Sequence, residues 1–228
     1  MTDEILRVEG LSVGYGKQAV ITGMDLSVCR GEVVALLGRN GAGKTTTLMT
    51  VAGALAPIRG EIMLNGARAT GSLDKRARNG LGFVTEDRAI IRHLTVRENL
   101  RLARADPATV FDMFPELTKL HNRRAGLLSG GEQQMLALGR CLAVTPSLVL
   151  IDELSLGLAP LVVERLLGSV RQAAADGSAV LLVEQKAAMA LSVADRGYVV
   201  GRGAIELSGT SSDLLGQLDA IESSYLTH

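Results

Sequence analysis

The chain has 228 residues, equal numbers of acidic and basic side chains (24 each), and 47% apolar residues. A chain of this length can bury a substantial core as one domain with a small inserted lobe. The balanced charge argues against nucleic-acid binding by bulk electrostatics, and the apolar content argues against disorder. Because aromatic residues make up only 3%, the aliphatic excess predicts strands buried on both faces of a parallel sheet.

Cysteine content and the N-terminus bear on the location of the protein. Cys29 and Cys141 are too few for a disulfide framework, which favours reduced, buried thiols. The sequence MTDEILRVEG is acidic where a signal peptide would be basic, and no stretch reaches the ~18 apolar residues of a membrane span. We therefore expect a cytoplasmic protein that meets a membrane only through a partner.

The predicted elements alternate between strands and helices. Strands are predicted at 6–13, 25–28, 32–37, 81–84, 148–151, 180–183, 197–200 and 204–207. Helices are predicted at 44–54, 132–144, 161–175 and 211–218, the third with Pro160 at its start. Helix formers and charges dominate 94–128, so we expect a small helical lobe at about 91–135, inserted between core segments 1–90 and 136–228. This order predicts an α/β fold with helices on both faces of the sheet.

A glycine-rich loop follows the strand at 32–37. Residues 38–45 read GRNGAGKT and match G-x-x-x-x-G-K-[ST]. Its glycines let the backbone wrap around phosphates, and the loop opens a helix whose N-terminus favours anions. A flexible glycine loop is the alternative, but the strand–loop–helix context predicts a nucleotide site, with Lys44 on the β- and γ-phosphates and Thr45 on Mg²⁺. The residues assigned to the nucleotide here are Gly38, Arg39, Asn40, Gly41, Ala42, Gly43, Lys44, Thr45 and Thr46.

The apolar strand at 148–151 ends in two carboxylates. Catalytic groups of open α/β sheets lie outside the carboxyl ends of strands, and Asp152 and Glu153 stand at such a place. We expect Asp152 to bind Mg²⁺ and Glu153 to polarise the water that attacks the γ-phosphate. The alternative is a strand that simply ends in two solvated acids.

The sequence LSGGEQQ at 128–134 combines a helix cap with two glycines. Ser129 and Glu132 have the spacing of a capping box, so a well-capped helix is one interpretation. Gly130 and Gly131 are costly in a first turn unless the backbone must approach something closely. The Ser129 hydroxyl and the amides beside it predict a second anion-binding element. Two such elements in one chain suggest two chains that share nucleotide.

The order of these motifs resembles that of the ATP-binding cassette (ABC) transporter ATPases over essentially the whole chain. The resemblance implies a P-loop NTPase cassette with a mainly parallel core sheet, an antiparallel β part and a small inserted helical lobe. The stretches FPELTKLHNRRAGLLSGGEQQMLALGR, SLGLAP, LLVEQ and ADRGYVV look like one subfamily. That subfamily supplies one of the two ATPases of branched-chain amino-acid importers, and related cassettes serve urea and short-chain amide uptake.

The resemblance also implies an activity and partners. It implies an ATPase that uses ATP and Mg²⁺ to power uptake of branched-chain amino acids or a related small polar solute. Urea, amide or aromatic-acid uptake, a soluble non-transport ABC ATPase and an inactive regulatory module are the alternatives. The implied partners are a second, non-identical cassette, two membrane permeases and indirectly a solute-binding protein, with a homodimer possible in isolation and no nucleic acid. The implied place is the cytoplasmic face of the plasma membrane.

Family positions assign several further residues. Tyr15 stands where cassettes stack an aromatic ring on adenine, although an ordinary buried Tyr is the alternative. Glu86 replaces the usual Gln near Mg²⁺ and the membrane subunits, and Gln185 replaces the usual switch His, both as in the branched-chain subfamily. Gln cannot titrate near neutrality as His does. We therefore expect hydrolysis through Glu153, with Lys44, Glu86 and Gln185, to be slower at this P-loop than at the partner's.

Other positions depart from the family pattern. Leu154 stands where the family has Pro, Lys186 stands where the subfamily usually has Asn, and Ala159 replaces the usual Asp as in the subfamily. The helical lobe also looks short. The segment LTVRENL at 94–100 resembles the place where cassettes receive a helix of the permease, and a solvated helix face is the other interpretation. These departures bear on docking and turnover more than on ATP binding.

Overall fold

Two sheets and a set of flanking helices make up the computed structural model, which describes residues 3–16 and 18–226. In chain order the strands are β1 (Glu4–Tyr15), β2 (Gln18–Cys29), β3 (Val33–Leu37), β4 (Arg59–Leu64), β5 (Ala67–Arg68), β6 (Leu81–Val84), β7 (Leu148–Asp152), β8 (Ala179–Glu184), β9 (Arg196–Gly201) and β10 (Ala204–Thr210). The helices are α1 (Lys44–Ala52), α2 (Leu73–Arg78), α3 (Val96–Leu102), α4 (Pro107–Met113), α5 (Gly130–Leu142), α6 (Pro160–Ala175), α7 (Ala187–Leu191), α8 (Ser211–Leu215) and α9 (Leu218–Leu226). Short 3-10 helices lie at Pro115–Leu120 and Ala125–Leu127.

The strands form one mainly parallel and one antiparallel sheet. The larger sheet has six strands in the order β10–β9–β3–β8–β7–β6. Its strands are parallel except for β10, which pairs with β9 through the tight turn at 201–204. The smaller sheet is antiparallel, with the order β2–β1–β4–β5. The α/β cassette architecture expected from the sequence is confirmed.

The six-stranded sheet is buried on both faces. Every residue of β3, β7 and β8 is buried. Along β3, Val33, Ala35 and Leu37 pack against the side that carries α5 and α6, whereas Val34 and Leu36 face α1 and the antiparallel sheet. Continuous aliphatic runs result because both faces exclude water. The polar groups of these strands therefore collect at their carboxyl ends, which share one edge of the sheet.

Some elements differ from the sequence prediction. The patterns miss β4, β5, α2 and α7, and β2 is longer than the predicted 25–28. Register shifts along β1 and β2 break the strict alternation on which a strand prediction depends. The prediction of one final helix at 211–218 is wrong, because α8 ends before Gly216 and α9 starts after it.

The helical lobe is built from short, capped helices that pack on α5. The side chain of Thr95 accepts from the backbone N–H of Glu98 (3.2 Å), which completes a capping box at the start of α3. Asp106 caps α4 by accepting from the N–H of Thr109 (3.1 Å). A Cβ at Gly139 of α5 would lie 2.8 Å from the Val110 side chain, so glycine there allows α4 to pack closely.

The structure bears on the two cysteines and on the length of the helices. Cys29 and Cys141 are free, and both residues are partly buried. Burial raises the pKa of the Cys141 thiol to about 12, which makes it unreactive near neutral pH. Within residues 3–16 and 18–226, no helix is long and apolar enough to cross a bilayer.

Candidate nucleotide site

The glycine-rich loop connects β3 to α1, as predicted. Gly43 is the N-cap of α1 and has φ +93°, a left-handed conformation that favours glycine. A Cβ at Gly43 would lie 2.8 Å from Ile21, and one at Gly38 would lie 2.7 Å from the carbonyl oxygen of Val200. The loop therefore needs glycine at both positions to fit between β2 and β9.

Lys44 is held inside this loop. The residue is 4% exposed, and its Nζ donates to the carbonyl oxygens of Gly38 (2.7 Å) and Arg39 (3.0 Å). Burial lowers the pKa of Lys44, while the carboxylates of Glu153 and Asp152 counteract that effect. A buried ammonium that bonds only carbonyl oxygens can exchange them for phosphate oxygens at little geometric cost.

Asp152 at the end of β7 is hydrogen-bonded to Thr45 at the start of α1. The Oγ1 of Thr45 donates to Oδ1 of Asp152 (3.2 Å), and Asp152 is 2% exposed. Burial, followed by the charges of Glu153 and Glu86, raises the pKa of Asp152 to about 6 against the opposing bond from Thr45. Hydroxyl and carboxylate oxygens are ligands that Mg²⁺ prefers. A divalent cation here would favour the ionised carboxylate that burial disfavours, so the residues fit Mg²⁺.

Lys44 and Thr45 line one cleft of about 430 Å³, and Asp152 adjoins it through its bond from Thr45. Its lining includes the predicted residues Tyr15, Asn40, Gly41, Gly43, Lys44, Thr45, Thr46, Glu86 and Glu153. Tyr15 is 62% exposed at the cleft, so the alternative of an ordinary buried Tyr is wrong. Arg39 and Ala42 line an adjacent pocket instead, together with the turn at 201–203. Six of the nine predicted loop residues thus line the cleft, and Arg39 and Ala42 line the pocket next to it.

The catalytic candidate Glu153 is held in an unusual backbone conformation. Its φ is +48°, and its N–H donates to the carbonyl oxygen of Val183 (3.0 Å) on β8. Sequence reasoning missed the residue that anchors the next turn, Glu184, which is 2% exposed. Glu184 accepts from the N–H (3.0 Å) and the Oγ (3.2 Å) of Ser155, and burial raises its pKa. Its position, as the first charged residue after an apolar strand, is the signal that could have revealed it.

Leu154 lies between these polar residues and fills the core. The residue is 1% exposed and packs with the apolar cluster on the α5–α6 side of the sheet. Where the family has Pro, this chain thus gains apolar contacts. The neighbouring carboxylate of Glu153 still lines the cleft.

Other predicted residues lie outside the cleft. Gln185 is exposed at the end of β8 and does not line the cleft. Ser129 begins α5, where its N–H donates to Oε2 of Glu132 (2.7 Å) and its Oγ accepts from the Glu132 N–H (3.3 Å). The capping-box interpretation is confirmed. A Cβ at Gly131 would lie 3.0 Å from Val162, so helix packing within this chain already explains that glycine.

Known proteins share this combination of fold and motifs. The ABC transporter family profile matches residues 21–155. The branched-chain amino acid transport ATP-binding protein BraG of Pseudomonas aeruginosa is 38% identical, over 92% of this chain and 95% of that protein. The probable branched-chain amino acid transport ATP-binding protein LivF of Archaeoglobus fulgidus is 32% identical, over 92% and 94%. Relatives at 30% to 36% identity include ATP-binding proteins of lipopolysaccharide export and of sulfate and iron import.

A solved structure agrees with these relatives. It is an ATP-binding subunit of an ABC transporter, 31% identical, with a TM-score of 0.85 over 98% of this chain and 100% of that one. Along this chain the phosphate loop comes first, the helix capped by Ser129 second and the carboxylates at the end of β7 third. This chain therefore belongs to the ABC transporter family, as an ATP-binding subunit that hydrolyses ATP.

Proposed function

We propose that this chain powers an importer of branched-chain amino acids or a related small polar solute. The observation that carries the proposal is one cleft lined by Lys44, Thr45 and Glu153 beside the exposed ring of Tyr15, with Asp152 bonded to Thr45. Similarity to BraG and LivF supports the solute class, because their names specify branched-chain amino acid transport.

Within this function each residue of the cleft has a distinct role. Lys44 binds the β- and γ-phosphates, and Thr45 and Asp152 hold Mg²⁺, which neutralises phosphate charge when bound. Glu153 orients and polarises the attacking water, because its carboxylate lines the cleft next to the phosphate loop. Glu86 lines the same cleft and would supply a further carboxylate oxygen to the cation.

Two cassettes are needed to complete each site. Ser129, Gly130, Gly131 and Glu132 do not line this chain's own cleft, so we assign them to nucleotide bound on a partner cassette. Two large apolar side chains are exposed near this segment: Leu127 (62%), two residues before Ser129, and Leu161 (79%), next to the Val162 that packs on Gly131. Such side chains suit burial against a second chain.

The remaining partners are membrane permeases and a solute-binding protein. Transport requires membrane-spanning subunits, and permeases that receive this ATPase on the cytoplasmic face of the membrane would supply them. Gln185, in place of a titrating His, is expected to slow hydrolysis at this chain's own P-loop.

Reconstitution of the complex with its permeases and second cassette tests this function. We expect Glu153→Gln to abolish most solute-stimulated ATP turnover and Gln185→His to increase it. Leucine, isoleucine and valine should stimulate turnover, whereas urea, short amides or aromatic acids should not. Unchanged turnover in Glu153→Gln would remove the catalytic assignment, and stimulation by one of the other solutes would replace the solute class.

A further inference from the structure

The loop that follows β6 is tied to α5 by arginines from both sides. Arg88 donates from Nε to Oε1 of Gln134 (2.8 Å) and from Nη1 to Oε1 of Gln133 (3.0 Å). In return, Nη2 of Arg140 donates to the carbonyl oxygen of Ala89 (2.6 Å). The loop thus contacts the first turn of α5 through one arginine and its third turn through the other.

The backbone of this loop is held in a costly conformation. Arg88 and Ala89 have φ values of +67° and +45°, in the left-handed region that costs a non-glycine residue about 1 kcal/mol or more. The next stretch is held by Asn99, which is 1% exposed and bonds both the N–H (2.9 Å) and the carbonyl oxygen (3.0 Å) of Ile91. Such a conformation persists only where its surroundings fix it.

Gln133 extends the contact toward Ser129. Its Nε2 donates to the carbonyl oxygens of Leu128 (3.1 Å) and Ala125 (3.3 Å). Leu128 is joined to Ser129 by a peptide bond, and the backbone N–H of Gln133 donates to the carbonyl oxygen of Ser129 (2.9 Å). Two hydrogen bonds in sequence therefore connect the Arg88 guanidinium to the peptide that carries Ser129.

The same loop borders the nucleotide cleft. Glu86, two residues before Arg88, lines the cleft together with residues of the phosphate loop. We propose that Arg88 is a positioning residue: it fixes the N-terminus of α5, and with it Ser129, at the angle that meets nucleotide on the partner cassette. Through Glu86 the same loop links that angle to the chain's own cleft. This inference rests on the proposed function, which assigns Ser129 to the partner's site.

A substitution of Gln134 can separate the positioning role of Arg88 from its contribution to the stability of the fold. Gln134 is 2% exposed, and its Nε2 has no hydrogen-bond partner. Arg88→Ala therefore leaves a buried amide without its bonded arginine, which destabilises the fold. Adding Gln134→Leu removes that amide while keeping the arginine absent. The double variant Arg88→Ala/Gln134→Leu thus tests positioning even if Arg88→Ala alone folds poorly.

The experiment compares two ATP titrations for each variant. The affinity of the isolated chain for Mg-ATP reports its own P-loop, and the ATP KM of the reconstituted complex also reports Ser129 on the partner's nucleotide. For both variants we expect the isolated affinity to stay within about twofold and the KM to rise about tenfold, as for two lost hydrogen bonds. Arg88→Lys should raise the KM less than Arg88→Ala does, because the lysine ammonium can still bond one glutamine but cannot bond both in a fixed fork. Arg78→Ala is the matched control, since Arg78 is exposed and its side chain, among the described residues, bonds only Asp74 of its own helix.

Two outcomes would overturn the inference. One is an unchanged KM of the complex in the double variant. The other is a fall in the ATP affinity of the isolated chain by the same factor as the rise in the KM of the complex, which indicates a merely structural role. Glu153→Gln separates these outcomes from failure of the proposed function. If it abolishes turnover while Arg88 variants leave the KM unchanged, only the inference fails.

Discussion

The sheet core and the helical lobe differ in how far their charged residues are buried and bonded. In the core site Lys44, Asp152 and Glu184 are each 2% to 4% exposed and bonded to neighbours. In the lobe a set of arginines is exposed, and none of them forms an ion pair within the described residues: Arg92, Arg97, Arg101, Arg104, Arg123 and Arg124. Buried charges suit phosphate and cation chemistry, whereas exposed ones suit recognition of a partner.

This contrast is hidden in the overall charge. The whole chain is balanced, but residues 91–128 contain seven Lys or Arg and only four Asp or Glu. The remainder of the chain is correspondingly acidic. The lobe is thus the basic surface of a neutral protein, in the region that resembles a permease-docking segment.

The largest expected effect comes from removing the buried cation of the core. Lys44→Ala should lower ATP turnover of the complex by about 100-fold or more, because no other lysine or arginine lines the described part of the cleft. Lys119→Ala, at an exposed lysine of the lobe, is the matched control and should leave turnover unchanged. Steady-state turnover at saturating ATP measures both. Similar losses in the two variants would erase the contrast between the regions.

Asp152 offers a sharper test, because removal of its charge should stabilise the fold and abolish ATP hydrolysis. Its folded pKa of about 6 lies above the usual 3.8, so the ionised carboxylate destabilises the nucleotide-free fold at neutral pH. We expect Asp152→Asn to abolish Mg²⁺-dependent ATP hydrolysis yet raise the free energy of unfolding by about 1–3 kcal/mol at pH 8.

The pH dependence of this gain follows from the sign of the shift. As pH falls from 6 toward 4, the folded wild type takes up the proton first, so the advantage of Asp152→Asn should shrink toward zero. Denaturant unfolding at several pH values without nucleotide measures the difference. A gain that is absent at pH 8, or constant down to pH 4, would contradict the buried-carboxylate explanation.

A smaller effect is expected at the lobe. Arg97→Glu/Arg101→Glu reverses two charges one turn apart on α3. Since neither is ion-paired, the fold and the ATP affinity of the isolated chain should change little, whereas assembly with the permeases should weaken by about tenfold at low salt. The measurement is binding to permease-containing vesicles at several salt concentrations. Arg30→Glu, on the antiparallel sheet side, is the control, and equal weakening there would reject a docking role for the lobe.

The difference between the buried sheet core and the rest of the molecule also explains which features could be predicted from the sequence. The phosphate loop, Asp152 and Glu153 follow aliphatic strands, and burial on both faces of a sheet leaves a pattern that is readable without a structure. Glu184 and Arg88 were missed because their partners, Ser155 and Gln133, are distant in the chain and depend on tertiary packing. The antiparallel strands were partly missed for a related reason, since bulges erase their alternation.

The smallest expected effect belongs to Tyr15, the exposed member of the core site. Its ring is 62% exposed and lines the cleft, so we expect stacking on adenine to leave one side of the ring in water. Tyr15→Ala should weaken Mg-ATP affinity of the isolated chain by about 3- to 10-fold, as for loss of ~1 kcal/mol of ring contact. Tyr15→Phe should keep the affinity, because stacking needs the ring and no hydrogen bond of the hydroxyl is involved. If Tyr15→Phe weakens binding as much as Tyr15→Ala, the hydroxyl rather than the ring contacts the nucleotide, and the exposed edge of the site recognises ATP by polar contacts.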